Sequence, residues 1–418
     1  MLNRVTDGKK CDGMRRGAPG GPELGAGLLA ALALMISAGP FAIDMYLPAL
    51  PTLRDDLGAT TVWAQFTLMT FMVGMAVGQL VIGPLSDVTG RRPPLIVATV
   101  LSVVCAVASA LAPSVFVLVA VRAVMGLANG ACVVLARAIV ADLAEGRRAA
   151  QAYSLLMAMM GIAPVIAPLM GGLLVEPIGW RGLFWILAVV AGVQVIVALL
   201  VVGESKPRRP GGGGWATFTV GVRVVSSNRL FTAYTVSFAA AAGVLFGYIA
   251  AGPLVFIDHF GMSPRLYSIV FAVNSVALVT GSLVNSRLVR RFEPASVLRV
   301  AGGVVLACGL VLLGDALLFG GHLPVVLGTL FIALGHMPGI FGNATALGVS
   351  AVRSHAGLGS AVMGFCQFLV AGAVSPLVGL GGRPVVALGI VVAVSVGLSL
   401  CGALVAGRLT RIVTAEPR

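Results

Sequence analysis

What most restricts this chain is the length of its uncharged apolar runs. There are twelve, at 24–47, 63–84, 93–112, 114–140, 151–175 and 182–203, and again at 229–257, 265–289, 296–319, 323–351, 357–380 and 383–407. Each is near or above the ~20 residues that an α-helix needs to cross ~30 Å of hydrocarbon. Only 10% of the residues are charged, against about 25% in soluble domains. A folded form cannot cover its surface with so few polar groups, so lipid must be its solvent. Spanning strands would alternate in segments of about 10 residues, and these runs do not alternate. The sequence predicts an all-α membrane protein with twelve transmembrane helices, six on either side of a polar interval.

Charge orients the helices. With both termini on the cytoplasmic side, Arg91/Arg92, Arg147/Arg148, Lys206/Arg208/Arg209, Arg287/Arg290/Arg291 and Arg408/Arg411 all fall there. Of the 28 Lys and Arg residues, only Arg54, Arg181, Arg265 and Arg383 fall on the opposite face, while Arg122 and Arg137 lie within runs. This is the positive-inside asymmetry. The net charge of +13 is then a topology signal and an attraction to anionic lipid, with no nucleic-acid partner implied. The first 23 residues carry Lys9, Lys10, Arg15 and Arg16 but no cleavage site, and read as a disordered cytoplasmic tail. Six cysteines (11, 105, 132, 308, 366 and 401) show no C-x-x-C spacing, and all but Cys11 sit in apolar runs. Small apolar packing explains them better than a disulfide or a metal site.

The chain also repeats itself. GQLVIGPLSDVTGRRPPLIV at 78–97 aligns without gaps on GSLVNSRLVRRFEPASVLRV at 281–300, with Arg290 standing where Asp87 does. AGPFAID (38–44) resembles AGPLVFID (251–258), and LANGA (127–131) pairs with FGNATA (341–346). Three matched pairs in order predict one six-helix unit used twice, over 24–203 and 229–408. Between them, 204–228 is rich in Pro, Gly and Arg and suits a flexible cytoplasmic linker; 409–418 reads as a short cytoplasmic tail. The glycine run in the linker lacks the Gly-Lys-Ser/Thr of a phosphate loop. Two parallel halves with a cleft between them suit a rocking transporter whose site lies near the midplane.

Specific motifs sharpen this. GPLSDVTGRRPPLI at 83–96 resembles the loop between helices two and three of the major facilitator superfamily, and VRAVMGLANGA at 121–131 is similar to its fourth-helix R-x-x-x-G pattern. IDMYLPALP at 43–51 resembles the first-helix end of twelve-helix drug:proton antiporters. FGNATALGVSAVRSHAGLGSAVMGFCQF at 341–368 is similar to the tenth-to-eleventh helix region of the Bcr/CflA multidrug resistance branch. The resemblance runs from about residue 28 to 408. It implies two pseudo-symmetric six-helix bundles in the cell inner membrane and efflux driven by the proton gradient without a cofactor. In the fifth-helix motif, GIAPVIAPLMGGLL (161–174), Ala167-Pro168 stands where Gly-Pro is usual, a departure that keeps an uptake reading open.

Several residues then stand out. Asp44 comes late in the first run, and a buried carboxyl costs several kcal/mol to ionise, which suits it to load and release protons. The structural alternative is a rim position capping a helix or pairing with Arg54. Arg122, with no acid three or four residues away, must face a partner or a watery cleft. The resemblance implies that it organises proton transfer; a clamp on backbone carbonyls is the alternative. Arg137 reads as snorkelling to the membrane edge. Gly83, Asp87, Gly90, Arg91 and Arg92 form a polar turn in which Asp87 can latch onto basic groups or a helix N-terminus, and the resemblance makes this turn a conformational gate. Pro164 and Pro168, with Gly161, Gly171 and Gly172, predict a kinked, closely packed helix that in the family seals the cleft. Gln65, Asn129, Asn343 and Gln367 are polar groups that either meet substrate or join helices. Tyr46, Phe66, Met69, Met157 and Met160 supply an adaptable wall of the kind a drug pocket needs. His336 and His355 receive no role.

The expected function is proton-coupled efflux of small, largely apolar drugs or metabolites, by a protein acting as a monomer. A nutrient symporter is the alternative within transport. A membrane-embedded enzyme would need a nucleophile–base or metal set, and four scattered histidines without H-E-x-x-H offer none. A non-transporting sensor of the same fold is the third reading.

Overall fold

The computed structural model describes residues 25–144, 146–205 and 214–415; the expected tail 1–23 and the glycine run of the linker lie outside them. The first half holds α1 (Ala26–Asp44), a short α2 (Leu50–Asp56), α3 (Thr61–Thr89), α4 (Arg92–Ala110), α5 (Val115–Leu143) and α6 (Gly146–Leu200). A helix of 55 residues would be ~80 Å long, more than twice the hydrocarbon thickness. It is not straight. Gly179, just after Pro177, leaves helical geometry at φ 68° and ψ 177°, a conformation open to glycine and strained for other residues. The bend divides α6 into two arms that match the expected runs 151–175 and 182–203. Eleven described helices are thus long and apolar enough to cross a bilayer, and one of them crosses twice.

The second half repeats the plan with α8 (Arg229–Gly252), α9 (Pro264–Leu288), α10 (Pro294–Phe319), α11 (Leu323–Ala351), α12 (Ala356–Leu377) and α13 (Pro384–Ala415). Between the halves, Gly214–Ser227 forms α7, lying against α3, α8 and α12. Part of the expected flexible linker is therefore helical, with its apolar residues supplying a packed face. Likewise α13 carries the expected tail at 409–418 onward in helical form to Ala415. Helix starts follow local capping chemistry. Thr60, Ser114, Asn228 and Ser263 each accept a backbone N–H of the first turn of α3, α5, α8 and α9.

Glycine sets how closely the helices pack. A Cβ at Gly74 or Gly78 on α3 would collide with the carbonyls of Ala123 and Leu127, and one at Gly126 or Gly130 on α5 with those of Phe71 and Met75. Two facing G-x-x-x-G stripes thus let the backbones touch. Gly281, the repeat partner of Gly78, likewise abuts the carbonyl of Gly335 on α11. Across the halves, α3 packs against α12 and α6 against α9. Outward faces carry exposed apolar side chains such as Val189 (68%) and Leu318 (76%), as a lipid-facing surface requires.

Candidate functional site

Between the halves lies a cavity of about 220 Å³. From the first half, Pro40, Ile43 and Asp44 of α1, Met75 and Gln79 of α3, Arg137 of α5 and Pro164 of α6 reach it. The second half supplies Phe246 and Tyr248 of α8, Phe271 and Ser275 of α9, and Gln367 and Phe368 of α12. Most of the wall is hydrocarbon and aromatic; the polar groups are few and come from both halves.

Asp44 is the one carboxylate among those lining residues. It is buried, 3% exposed, and its Oδ1 has no hydrogen-bond partner. As the last residue of α1 it meets the negative end of the helix dipole, which makes a charge there more costly still. Tyr248 and Tyr267 of the other half lie within electrostatic reach of it. Tyr248 accepts a hydrogen bond from Asn274 Nδ2 at 3.0 Å, and the Tyr267 hydroxyl is buried without a partner.

Arg122 is fully buried but does not pair with Asp44. Its guanidinium donates to the carbonyls of Ala42 (2.9 Å) and Thr67 (3.4 Å) and lies 4.2 Å from the Phe71 ring centre and 4.5 Å from that of Tyr46. Nη2 has no hydrogen-bond partner. The arrangement is the clamp on backbone carbonyls, reinforced by cation–π contact, and it is anchored two residues before Asp44.

Polar contacts joining the halves gather at the end of the bundle that carries α2. Arg54 Nη1 pairs with Asp258 Oδ2 at 2.8 Å. Gln65 Nε2 donates to the Ala250 carbonyl at 2.8 Å, and Ser375 Oγ donates to Gln65 Oε1 at 3.1 Å. On α6, Pro168 has no N–H to offer the carbonyl four residues earlier, that of Pro164. Ser275 Oγ from α9 donates to this carbonyl at 3.2 Å, so the kink creates an acceptor that the opposite half uses. A Cβ at Gly171 would strike the Met45 carbonyl and one at Gly172 would strike Ser268; both glycines let α6 lie flush against its neighbours.

The opposite end holds the polar turn. Gly90 (φ 90°) passes directly over the Glu204 carboxylate, which accepts the backbone N–H groups of Arg91 and Arg92 at 2.7 and 3.2 Å. Arg91 is itself buried, pairing with Asp142 and Asp87 at 2.8 Å each and donating to Ser86 Oγ at 2.5 Å. Arg92 donates to the Leu199 carbonyl. Gly83 faces Val134 of α5. These bonds tie α3, α4, α5 and the end of α6 into one block of the first half.

This architecture and these motifs coincide with a match to the model of the Major Facilitator Superfamily over residues 30–376. The chain belongs to that superfamily. It is 32% identical over 369 residues to the MFS-type transporter YdgK of Bacillus subtilis, covering 87% of this chain and 91% of the relative. It is 33% identical over 324 residues to a chloramphenicol resistance protein of Pseudomonas aeruginosa, covering 77% and 74%. The fold matches that of a bacterial homolog of the human lysosomal transporter Spinster, solved inward-facing and occupied. That match has a TM-score of 0.70 at 16% identity over 92% of this chain and 96% of the other. The protein is a multi-pass membrane transporter, not an enzyme.

Within the MFS frame the remaining candidates separate. Gln367 lines the cavity. Tyr46 lies under Arg122 and bonds to Thr67, Gln65 joins the halves, and Asn129 and Asn343 bond to carbonyls of their own helices, Asn343 also to Asn285. Phe66 lies tilted against the Trp63 ring, and the Met69 backbone lies beside Gly372 of α12. Met157, Met160 and Gly161 sit on α6, but their surroundings lie outside the described side chains. Arg137, read as snorkelling, borders the cavity instead. Met75, Gln79, Tyr248, Phe246, Phe271 and Ser275 were missed. Gln79 alone carried a signal, as an amide within an apolar run; the others are ordinary helix residues until the halves meet. Glu204 and Asp142, which complete the Arg91 block, sit 113 and 51 positions away from it and no local pattern links them.

Proposed function

We propose that the chain exports small, largely apolar drugs or metabolites across the cytoplasmic membrane in exchange for protons, by alternating access. The observation that carries this is Asp44, a buried carboxyl with an unpartnered oxygen, set in a largely apolar cavity between two similar bundles. Protonated, Asp44 removes the cost of a bare charge in that cavity, and apolar substrate and proton then compete for one space. The chloramphenicol resistance relative supports the substrate class. The positive-inside asymmetry puts the Arg91 end and both termini in the cytoplasm, so the seam closed by Arg54 and Asp258 faces outward. Each proton entering supplies ~1.4 kcal/mol per pH unit and ~2.3 kcal/mol per 100 mV, enough for a drug gradient of one to two orders of magnitude.

The test uses inverted membrane vesicles energised to an acid interior. Adding chloramphenicol or a panel of apolar dyes is expected to alkalinise the interior as drug enters and protons leave. Asp44→Asn is expected to abolish this exchange while leaving the amount of folded protein in the membrane unchanged. Undiminished exchange in that variant would remove Asp44 from the mechanism, and drug moving in step with protons would establish uptake instead.

A further inference from the structure

The repeat places two polar turns at the Arg91 end of the molecule, one per half, and their charges are balanced very differently. In the first half, Arg91 and Arg92 meet Asp87, Asp142 and Glu204. In the second, the turn between α9 and α10 carries Arg287, Arg290 and Arg291, with Arg290 at the position equivalent to Asp87. Among the described residues none of these three guanidinium groups forms an ion pair or a hydrogen bond, although Glu293 lies next to them in sequence. The C-terminal carbonyls of α9 do not take them up either. Those of Asn285, Arg287 and Leu288 already accept the N–H groups of Val289, Arg290, Arg291 and Phe292.

The three arginines border a surface groove of about 560 Å³ whose remaining walls are Val284, Leu288 and Phe292. Those apolar side chains are 45%, 37% and 58% exposed. They continue the lipid-facing surface of α9 up to the point where its hydrophobic span ends. Unpaired cations directly above an apolar wall, at the level of the headgroups, match an anionic diacyl lipid in both charge and shape.

We propose that this groove is a binding site for an anionic phospholipid, with the phosphate held by Arg287, Arg290 and Arg291 and an acyl chain laid along Val284, Leu288 and Phe292. Arginine suits the role because its planar fork gives a phosphate two parallel hydrogen bonds. The lipid performs for the second half part of what Asp142 and Glu204 do for the first: it neutralises the turn that follows α9.

The full-length protein in detergent, titrated with phosphatidylglycerol or phosphatidylcholine and observed by native mass spectrometry, tests this. Phosphatidylglycerol is expected to remain bound under activation that strips phosphatidylcholine, and inorganic phosphate in excess is expected not to displace it. The R287Q/R290Q/R291Q variant is expected to weaken retention roughly a hundredfold, whereas R265Q/R383Q, which removes cations from the other end, is expected to leave it intact. Because losing three inside charges can disturb insertion, Phe292→Ser gives a second reading with the charges kept, and it too is expected to weaken retention. Equal retention of phosphatidylglycerol by the wild type and either groove variant overturns the proposal. Displacement by inorganic phosphate overturns it as well, since the site would then recognise a free anion.

Discussion

Arg91 and Arg122 are two buried guanidinium groups held in opposite ways. Arg91 sits among Asp87, Asp142 and Ser86, so its charge is paired. Arg122 meets carbonyls, rings and the Met125 sulfur but no carboxylate, so its charge is solvated by dipoles and π faces. Of these charged groups Arg91 alone is buried; the Asp142 and Asp87 side chains are 20% and 46% exposed and stay partly solvated without it. Arg91→Ala is therefore expected to lower thermal stability in detergent by about 1.5–3 kcal/mol, the worth of its lost charge-assisted hydrogen bonds. An unfolding midpoint equal to the wild type would show that the turn is a solvated loop and not a structural block. Asp44 belongs at this scale too: its predicted Asn variant probes chemistry and is expected to leave stability alone, since the amide is neutral.

For the elements, backbone contact is decisive. The α3–α5 pair is brought together by Gly74, Gly78, Gly126 and Gly130, and the added Cβ of Gly126→Ala would meet the Phe71 carbonyl. Backbone cannot yield as a flexible side chain does, so this single methyl is expected to destabilise the protein by about 1–3 kcal/mol. Gly192→Ala, on an open stretch of α6 with nothing within 4 Å, is the matched control and is expected to be neutral or slightly stabilising. Equal midpoints for the two variants, measured by thermal unfolding in detergent, would contradict the packing account. The end of α8 shows a subtler element effect. AGPLVFID is one residue longer than AGPFAID, and the structure absorbs the extra residue as a wide π-type turn over Pro253–His259. Asp258 consequently reaches the rim, while its counterpart Asp44 stays in the cavity.

In the molecule as a whole, the two repeat carboxylates sit in different settings, Asp44 in the cavity and Asp258 in an ion pair across the halves. The Arg54–Asp258 pair bridges the halves, with side chains 22% and 30% exposed. A pair so open to solvent is worth ~0.2–1 kcal/mol, which corresponds to no more than about a fivefold shift in a two-state equilibrium. Arg54→Ala is expected to raise the population open at the α2 end by up to that factor, read as faster labelling of a cysteine placed at Ile43, which lines the cavity. The R54D/D258R exchange is expected to restore the wild-type rate. If the single variant labels no faster, closure rests on Gln65, Ser375 and the α6–α9 contact alone.

By itself the sequence determined that this chain lives in lipid, crosses it twelve times and is built as a duplicate, because hydrophobic length, charge sidedness and repeat spacing are local or additive properties. It also marked Asp44, Arg122 and the 83–92 turn, since a charge in apolar surroundings is conspicuous wherever it falls. Which residues face one another was decided only by the tertiary structure. Gln65 and Asn343 were as conspicuous as Gln367 in one dimension, yet only Gln367 reaches the cavity. Ser275 gained its role from a carbonyl that Pro168 exposes on another helix. A helix presents every side of itself to the reader of a sequence, and only packing against distant segments fixes which side meets lipid, protein or the space between the halves.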